Sequence, residues 1–105
     1  MRTTMTEYKI ELLPRAKRYI QSLKKQQHLL NKVKIKLKLI LQDPFIGELN
    51  KGDLKNTYSV DFRFQKTTYE IAYFINKETH VITIVLIGTR ENFYEALKQY
   101  IRALE

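Results

Sequence analysis

The stretch YSVDFRFQKTTYEIAYFINKETHVITIVLIG, residues 58–88, contains three apolar segments separated by two short polar ones. In the first segment, 58–64, and the second, 69–75, apolar and other residues alternate with a period of two, which is typical of a strand with one buried face. The third segment, 80–87, is apolar on both faces, which favours a central strand. Because the connections are short, the stretch predicts an antiparallel three-strand meander.

The residues before this stretch predict one strand and two helices. Apolar and charged residues alternate from Tyr8 to Leu12, as in a half-buried strand. Pro14 suits the first position of a helix, and Asp43 ends the second helix because a residue before proline is pushed out of the helical region. The expected core residues of the first helix are Ala16, Tyr19, Ile20 and Leu23. Those of the second are Leu30, Val33, Leu37, Ile40 and Leu41. Residues 44–57 are interpreted as a loop.

A last helix is predicted after Gly88, which is expected to break the third meander strand. Thr89 is the expected N-cap, and Glu91 suits the positive end of the helix dipole. The apolar stripe of this helix comprises Phe93, Leu97, Tyr100, Ile101 and Leu104. The sequence therefore predicts an α+β fold in a single domain, residues 1–105: an N-terminal strand, a helical hairpin, the meander and a C-terminal helix.

The excess of positive over negative charge is confined to the first part of the chain. Residues 1–43 contain eleven Lys or Arg against three acidic residues, a net charge of +8, whereas residues 44–105 are neutral. No acidic residue lies between Leu12 and Gln42. Like charges on a helix destabilise it, so the run indicates contact with a polyanion, either nucleic acid or a very acidic protein. A lysine-rich surface without a ligand is the alternative.

The sequence lacks the motifs of several common classes of functional site. The chain has no cysteine, and its two histidines, His28 and His80, are far apart, so neither a disulfide nor a zinc site is expected. We find no phosphate-binding glycine loop and no nucleophile elbow. No cofactor or metal is therefore predicted. Neither a signal peptide nor a membrane span is evident, so we expect a cytoplasmic protein.

A polar group on the meander and the last helix is the candidate site. Asp61, Arg63 and Glu70 lie on the strand face that is not obviously core, and Arg90 and Tyr94 lie one helical turn apart at the start of the last helix. Together these last two residues can bind a phosphate and stack on a base. The alternative is that Arg90 pairs with Asp61 or with the adjacent glutamate.

Three segments carry a family resemblance: LNKGDLKNTY (49–58), YSVDFRFQKTTYEIAY (58–73) and IGTRENFYEAL (87–97). They resemble the second half of the RelE/ParE superfamily, the small bacterial toxins of type II toxin–antitoxin systems. The helical hairpin after a first strand matches that fold as well, so the resemblance covers nearly the whole chain. GTRENFY is its most specific piece.

The resemblance implies a microbial RNase-type fold and an endoribonuclease that works at the ribosome. In such toxins the 2′-OH attacks the adjacent phosphate of mRNA, which inhibits translation and needs proton donors and acceptors but no metal. It also implies a cognate antitoxin that wraps and silences the toxin, and contact with operator DNA only through that antitoxin.

By position, Arg90 and Tyr94 match the arginine before the last helix and the C-terminal tyrosine of the family, and Arg63 matches a basic residue of the middle strand. Lys51 and Lys55 resemble its RNA-facing positions. The basic helices are expected to add RNA contacts through Lys24, Lys25, Lys32, Lys34, Lys36 and Lys38.

The chain also departs from the pattern. Glu70 stands where an arginine is usual, and Ser59 and Asp61 stand where RelE has lysines. Glu48 can take the place of the glutamate of YoeB-like members. The working hypothesis makes Glu70 or Glu48 the general base, Arg63 and Arg90 the phosphate clamp, and Tyr94 the stacking or donor residue.

Alternatives remain for Glu70 and for the activity. Glu70 can instead form a surface ion pair with Lys66 or Arg63. The chain can be a ParE-like inhibitor of DNA gyrase, or a catalytically degenerate co-repressor that only binds its antitoxin and, through it, operator DNA.

Overall fold

The computed structural model describes residues 7–54 and 56–104 of the chain. In these ranges the elements are β1 (Lys9–Leu12), α1 (Pro14–Ser22), α2 (Gln27–Gln42), β2 (Glu48–Leu49), β3 (Thr57–Phe64), β4 (Thr67–Asn76), β5 (Val81–Thr89) and α3 (Phe93–Leu104). The predicted α+β fold with a helical hairpin and a meander is confirmed.

The strands form one sheet in the order β1-β5-β4-β3-β2. β1 pairs with β5 in parallel, and the other neighbours are antiparallel. β2 lies inside the predicted loop 44–57, where Glu48 pairs with Ser59 and Leu49 with Tyr58. The interpretation of that segment as a loop was therefore wrong for Glu48 and Leu49, which add a fifth strand beside the meander, and for Thr57, which begins β3. Pro44–Ile46 and Gly52–Leu54 within the segment are short 3-10 helices.

The two faces of the sheet carry separate cores. The alternation in β4 predicted only one buried face, whereas the expectation that β5 is buried on both faces is confirmed. On one face Ile71, Tyr73 and Ile84 pack under α1 and α2. On the other, Ala72 and Val85 pack under α3. A β-bulge in the β4–β5 pairing between Ala72 and Tyr73 turns both Val85 and Leu86 toward α3. The result is a three-layer arrangement with β5 buried between the helices.

Three details of the helices and strands differ from the prediction. Leu41 is exposed and Leu29 is buried instead, because one residue beyond the buried Ile40 points about 100° away from the core on a helix. Gly88 does not end β5, since it still pairs with Glu70. Thr89 is the last strand residue rather than an N-cap, and α3 begins only at Phe93.

The turn after α2 is fixed by a buried tyrosine. The Tyr73 hydroxyl donates to the Pro44 carbonyl oxygen at 2.8 Å and accepts from the Gly47 N–H at 3.1 Å. Tyr73 is fully buried, and burial raises its pKa to about 12. This contact places residues 44–47 so that β2 can pair with β3, and it thereby positions Glu48.

Candidate active site at the open edge of the sheet

Through its side chain, Arg90 links the turn in which it lies to two strands, β3 and β4. It lies in the turn between β5 and α3, where its backbone N–H donates to the Thr68 carbonyl oxygen at 2.8 Å. Its Nε donates to Glu70 Oε2 at 2.7 Å, and its Nη2 donates to Asp61 Oδ2 at 2.6 Å. Asp61 and Glu70 are direct cross-strand partners, so the guanidinium offsets the repulsion between their two carboxylates. The prediction that Arg90 stands at the start of the helix was wrong; it precedes the helix.

Glu70 is a buried carboxylate with both oxygens engaged. Its side chain is 3% exposed, and the Tyr94 hydroxyl donates to Oε1 at 3.1 Å while Arg90 holds Oε2. A buried carboxylate is tolerated only with such partners. The alternative of a surface ion pair with Lys66 or Arg63 is therefore wrong.

The environment of Tyr94 and Arg90 determines their protonation. Burial raises the pKa of Tyr94, and the negative charge and hydrogen bond of Glu70 raise it further. A hydrogen bond with Ser59 and the positive charge of Arg90 lower this pKa and so partly offset the rise. The hydrogen bond to Glu70 raises the pKa of Arg90. At neutral pH the phenol is thus protonated and the guanidinium charged. The Phe93 ring packs edge-on against Tyr94 at 5.2 Å between centroids.

A cleft of about 360 Å³ opens beside this group, at the edge of β3. It opens there because β2 covers only Tyr58 and Ser59 of β3. Its charged lining consists of Lys36, Glu48, Asp61, Glu70 and Arg90, accompanied by Tyr94 and by apolar side chains of α2 and the following turn. The cleft therefore combines two cations with three carboxylates.

A second cleft of about 480 Å³ lies on the other side of Arg90 and Tyr94, which line both. Among the residues that the structure describes, Lys51 and Lys98 line this second cleft together with one acidic residue, Glu95. The described lining therefore carries more positive than negative charge, in contrast to that of the first cleft. Lys98 was missed in the sequence, although its position four residues after Tyr94 on a helix places the two on one face.

The structure brings together most, but not all, of the predicted site residues. Glu48, Glu70, Arg90 and Tyr94 line the first cleft, and Lys51 lines the second. Arg63 is exposed and lines neither cleft. It pairs across the sheet with Thr68, whose carbonyl oxygen accepts from the Arg90 backbone N–H. Lys55 lies outside the described residues.

The lysines of the helices are distributed over several surfaces. Lys36 lines the first cleft, whereas Lys34 and Lys38 line a separate groove on α2. Lys32 is exposed on α2, and Lys24 and Lys25 lie in the turn between α1 and α2. Only Lys36 of this set is therefore part of the candidate site.

Within residues 7–54 and 56–104, no group of three or more His, Cys, Asp or Glu side chains is arranged to hold a metal ion. No helix in these ranges has both the length and the apolar character needed to cross a bilayer.

Residues 10–98 match the model of the ParE-like toxin family of type II bacterial toxin–antitoxin systems. The match covers most of the chain, so the protein belongs to this family of toxins. A search of curated proteins found no match.

Solved structures share the fold. A mutant of the E. coli toxin RelE in the free state is 22% identical, with a TM-score of 0.67, over 90% of this chain and 98% of that one. A chain of the RelBE2 toxin–antitoxin complex from Mycobacterium tuberculosis is 22% identical, with a TM-score of 0.65, over 81% and 100% of the two chains. A chain of the intact E. coli RelBE toxin–antitoxin complex is 21% identical, with a TM-score of 0.64, over 77% and 94%.

Proposed function

We propose that this toxin is an endoribonuclease that cleaves mRNA at the ribosome in the bacterial cytoplasm, inhibits translation, and is neutralised by a cognate antitoxin. The observation that carries the proposal is the meeting of Glu48, Arg90 and Tyr94 at one open cleft, with Lys36 on its wall. Similar chains have been solved in toxin–antitoxin complexes, which supports an antitoxin as partner. Operator DNA would then be contacted through that antitoxin.

The reaction assigned to this cleft is attack of a 2′-OH on the neighbouring phosphate. The 2′-oxygen forms a bond to phosphorus, its proton passes to a carboxylate, and the 5′-oxygen leaves with a proton from a donor, so that a cyclic phosphate remains. Of the two candidate bases, Glu48 is the better one. Its carboxylate is exposed in the cleft, whereas both oxygens of Glu70 are already engaged.

Arg90 and Tyr94 are assigned to the phosphate and the leaving group. The Arg90 Nη1 group makes no hydrogen bond within the described residues, so it remains able to stabilise charge on a phosphate. The Tyr94 phenol, protonated at neutral pH, can stack on a base, or it can donate its proton to the leaving oxygen once its hydrogen bond to Glu70 Oε1 is released. In this assignment Glu70 holds both residues in place and does not react.

The basic helices are assigned to the ribosome. Lysines that neutralise phosphates release counterions, so they favour binding to ribosomal RNA at low salt. Lys36 would meet RNA inside the cleft, and the remaining lysines of α2 would meet it outside. Lys51 would contact the strand on the far side of Arg90.

One observation favours a second function. Arg90 is already neutralised by two carboxylates, and the first cleft contains more acidic than basic side chains. Such a cleft is better suited to bind a protein surface than a phosphate. A protein-binding cleft is what we expect of a ParE-like inhibitor of DNA gyrase. The matching family model carries the ParE-like name.

A parallel assay separates the two functions. Purified protein is incubated with ribosomes and a defined mRNA, and separately with gyrase and relaxed plasmid. The proposal expects mRNA fragments that disappear with Glu48→Gln and with Arg90→Ala, and that persist with Glu78→Gln, which removes one carboxylate from the exposed β4–β5 turn. Intact mRNA together with inhibited supercoiling would instead establish the gyrase function.

A further inference from the structure

The two carboxylates on Arg90 differ sharply in burial. The Glu70 side chain is 3% exposed, whereas Asp61 and Arg90 are both 56% exposed. An ion pair open to water is held weakly, since water replaces either partner at little cost. Breaking a buried pair leaves an uncompensated charge in a poorly solvated place. Arg90 therefore has one permanent and one replaceable carboxylate.

The geometry shows which N–H donors of Arg90 are available to another acceptor. Glu70 occupies Nε of the guanidinium and Asp61 occupies Nη2, while Nη1 has no acceptor within the described residues. A phosphate binds a guanidinium through two parallel N–H donors. Nη2 carries two N–H groups, and Asp61 Oδ2 accepts from this nitrogen at 2.6 Å. A phosphate that bridges Nη1 and Nη2 therefore meets the Asp61 carboxylate at the same nitrogen, and the repulsion between the two anions favours departure of Asp61, while Nε stays with Glu70.

Asp61 also has space to leave. It lies on β3 beyond Ser59, where β2 no longer covers the strand edge, and it lines the first cleft. Glu70, directly opposite on β4, is held by Tyr94 as well as by Arg90. Moving Asp61 therefore leaves the rest of the network intact.

We infer that Asp61 occupies the position of an anionic ligand on Arg90, so that it competes within the molecule with a substrate phosphate, and that Glu70 is the positioning residue that keeps Arg90 oriented during the exchange. This inference rests on the proposed RNA ligand for the class of anion. It requires phosphate binding at Arg90 but no cleavage.

The test titrates inorganic phosphate, and then a short single-stranded RNA, into the intact protein and follows the Arg90 Nε–H signal by NMR. Asp61→Ala and Asp61→Asn are expected to lower the Kd for phosphate about three- to tenfold, the range that loss of a weak competing ion pair produces. The matched control Glu78→Gln removes the same charge at the far end of β4 and should change the Kd by less than about twofold, because distant exposed charges are screened.

Two further variants make the outcome specific. In an Arg90→Ala background, replacing Asp61 should bring no gain in phosphate affinity. Glu70→Gln should displace the Arg90 Nε–H signal without any ligand, which the Asp61 variants should not do. Equal affinities of the Asp61 variants and Glu78→Gln would overturn the inference. Tighter phosphate binding by the Asp61 variants without mRNA cleavage would sustain it and remove the nuclease proposal.

Discussion

The Tyr73 hydroxyl lies so close to Gly47 that no side chain fits between them. A Cβ on Gly47 would stand 2.6 Å from the Tyr73 hydroxyl oxygen and 2.8 Å from the Ser59 carbonyl oxygen. The contact joins the turn after α2 to the middle of β4, and through β2 it determines where Glu48 lies. Both the fold and the candidate site therefore depend on it.

Gly47→Ala should lower the free energy of unfolding by about 1–3 kcal/mol, because the methyl group forces the turn away from the sheet. Gly88→Ala is the matched control, since its nearest contact would be an ordinary 3.8 Å to Phe93 Cδ1. Urea unfolding of the two variants measures the difference. Equal free energies of unfolding for the two variants would show that the turn can shift to accommodate the methyl group without loss of stability.

Tyr73→Phe should cost about 1–3 kcal/mol at neutral pH, because the Gly47 N–H and the Pro44 carbonyl lose their buried partner. The folded pKa of Tyr73, about 12, lies above the ordinary 10, so this contribution is present below pH 10 and is lost as the pH rises to about 12. The stability difference between wild type and Tyr73→Phe should therefore shrink over that range. A stability difference that stays constant over that range would contradict this coupling.

The Tyr94 pKa should move in opposite directions in two variants. Glu70→Gln removes a negative charge that raises it and should bring it closer to 10, whereas Arg90→Ala removes a positive charge that lowers it and should raise it further. Spectrophotometric titration against Tyr94→Phe isolates this phenol. Shifts of the same sign in both variants would contradict the described network.

Reversing Lys34, Lys36 and Lys38 to glutamate should weaken ribosome binding, and the remaining binding should depend less on salt because fewer counterions are released. The fold should persist, since none of these side chains belongs to the buried core. Sedimentation with ribosomes at several salt concentrations measures the slope. Unchanged binding would leave the lysines without a role in RNA contact.

Lys36→Glu alone should reduce mRNA cleavage more than Lys24→Glu, because only Lys36 lines the cleft with Arg90 and Tyr94. Lys24 lies before the start of α2, and nine residues of that helix, 27–35, about 14 Å in length, separate it from Lys36. Single-turnover cleavage assays with both variants decide the point. Similar losses would indicate a general charge effect.

The sequence predicted the elements and their faces because these depend on local periodicity. Alternation places Tyr58 and Tyr73 on one side of the sheet and Asp61 and Glu70 on the other, whatever the remaining fold does. The spacing of one helical turn, with the resemblance to known toxins, identified Arg90 and Tyr94. The meeting of these residues was therefore within reach of sequence reasoning.

The burial of Glu70 could not be predicted from the sequence, because it follows from contacts between residues that are distant in the chain. It depends on the β3–β4 register, on Arg90 twenty positions later, and on the Tyr94 hydroxyl. β2 was missed for a similar reason: two residues carry no periodic signal, and their pairing relies on the tertiary contact of Tyr73. The rotation of α2 that turns Lys36 toward the cleft is likewise fixed by packing alone.

The parallel pairing of β1 with β5 has a consequence for the order of folding. Lys9 pairs with Val81, so the partner of β1 leaves the ribosomal exit tunnel 72 positions after it. Until then β1 has an unpaired edge, and the sheet that supports the helical hairpin is incomplete. Such long-range closure slows folding. The five-stranded sheet of the nascent toxin is therefore incomplete until β5, the strand that precedes Arg90, has been synthesised.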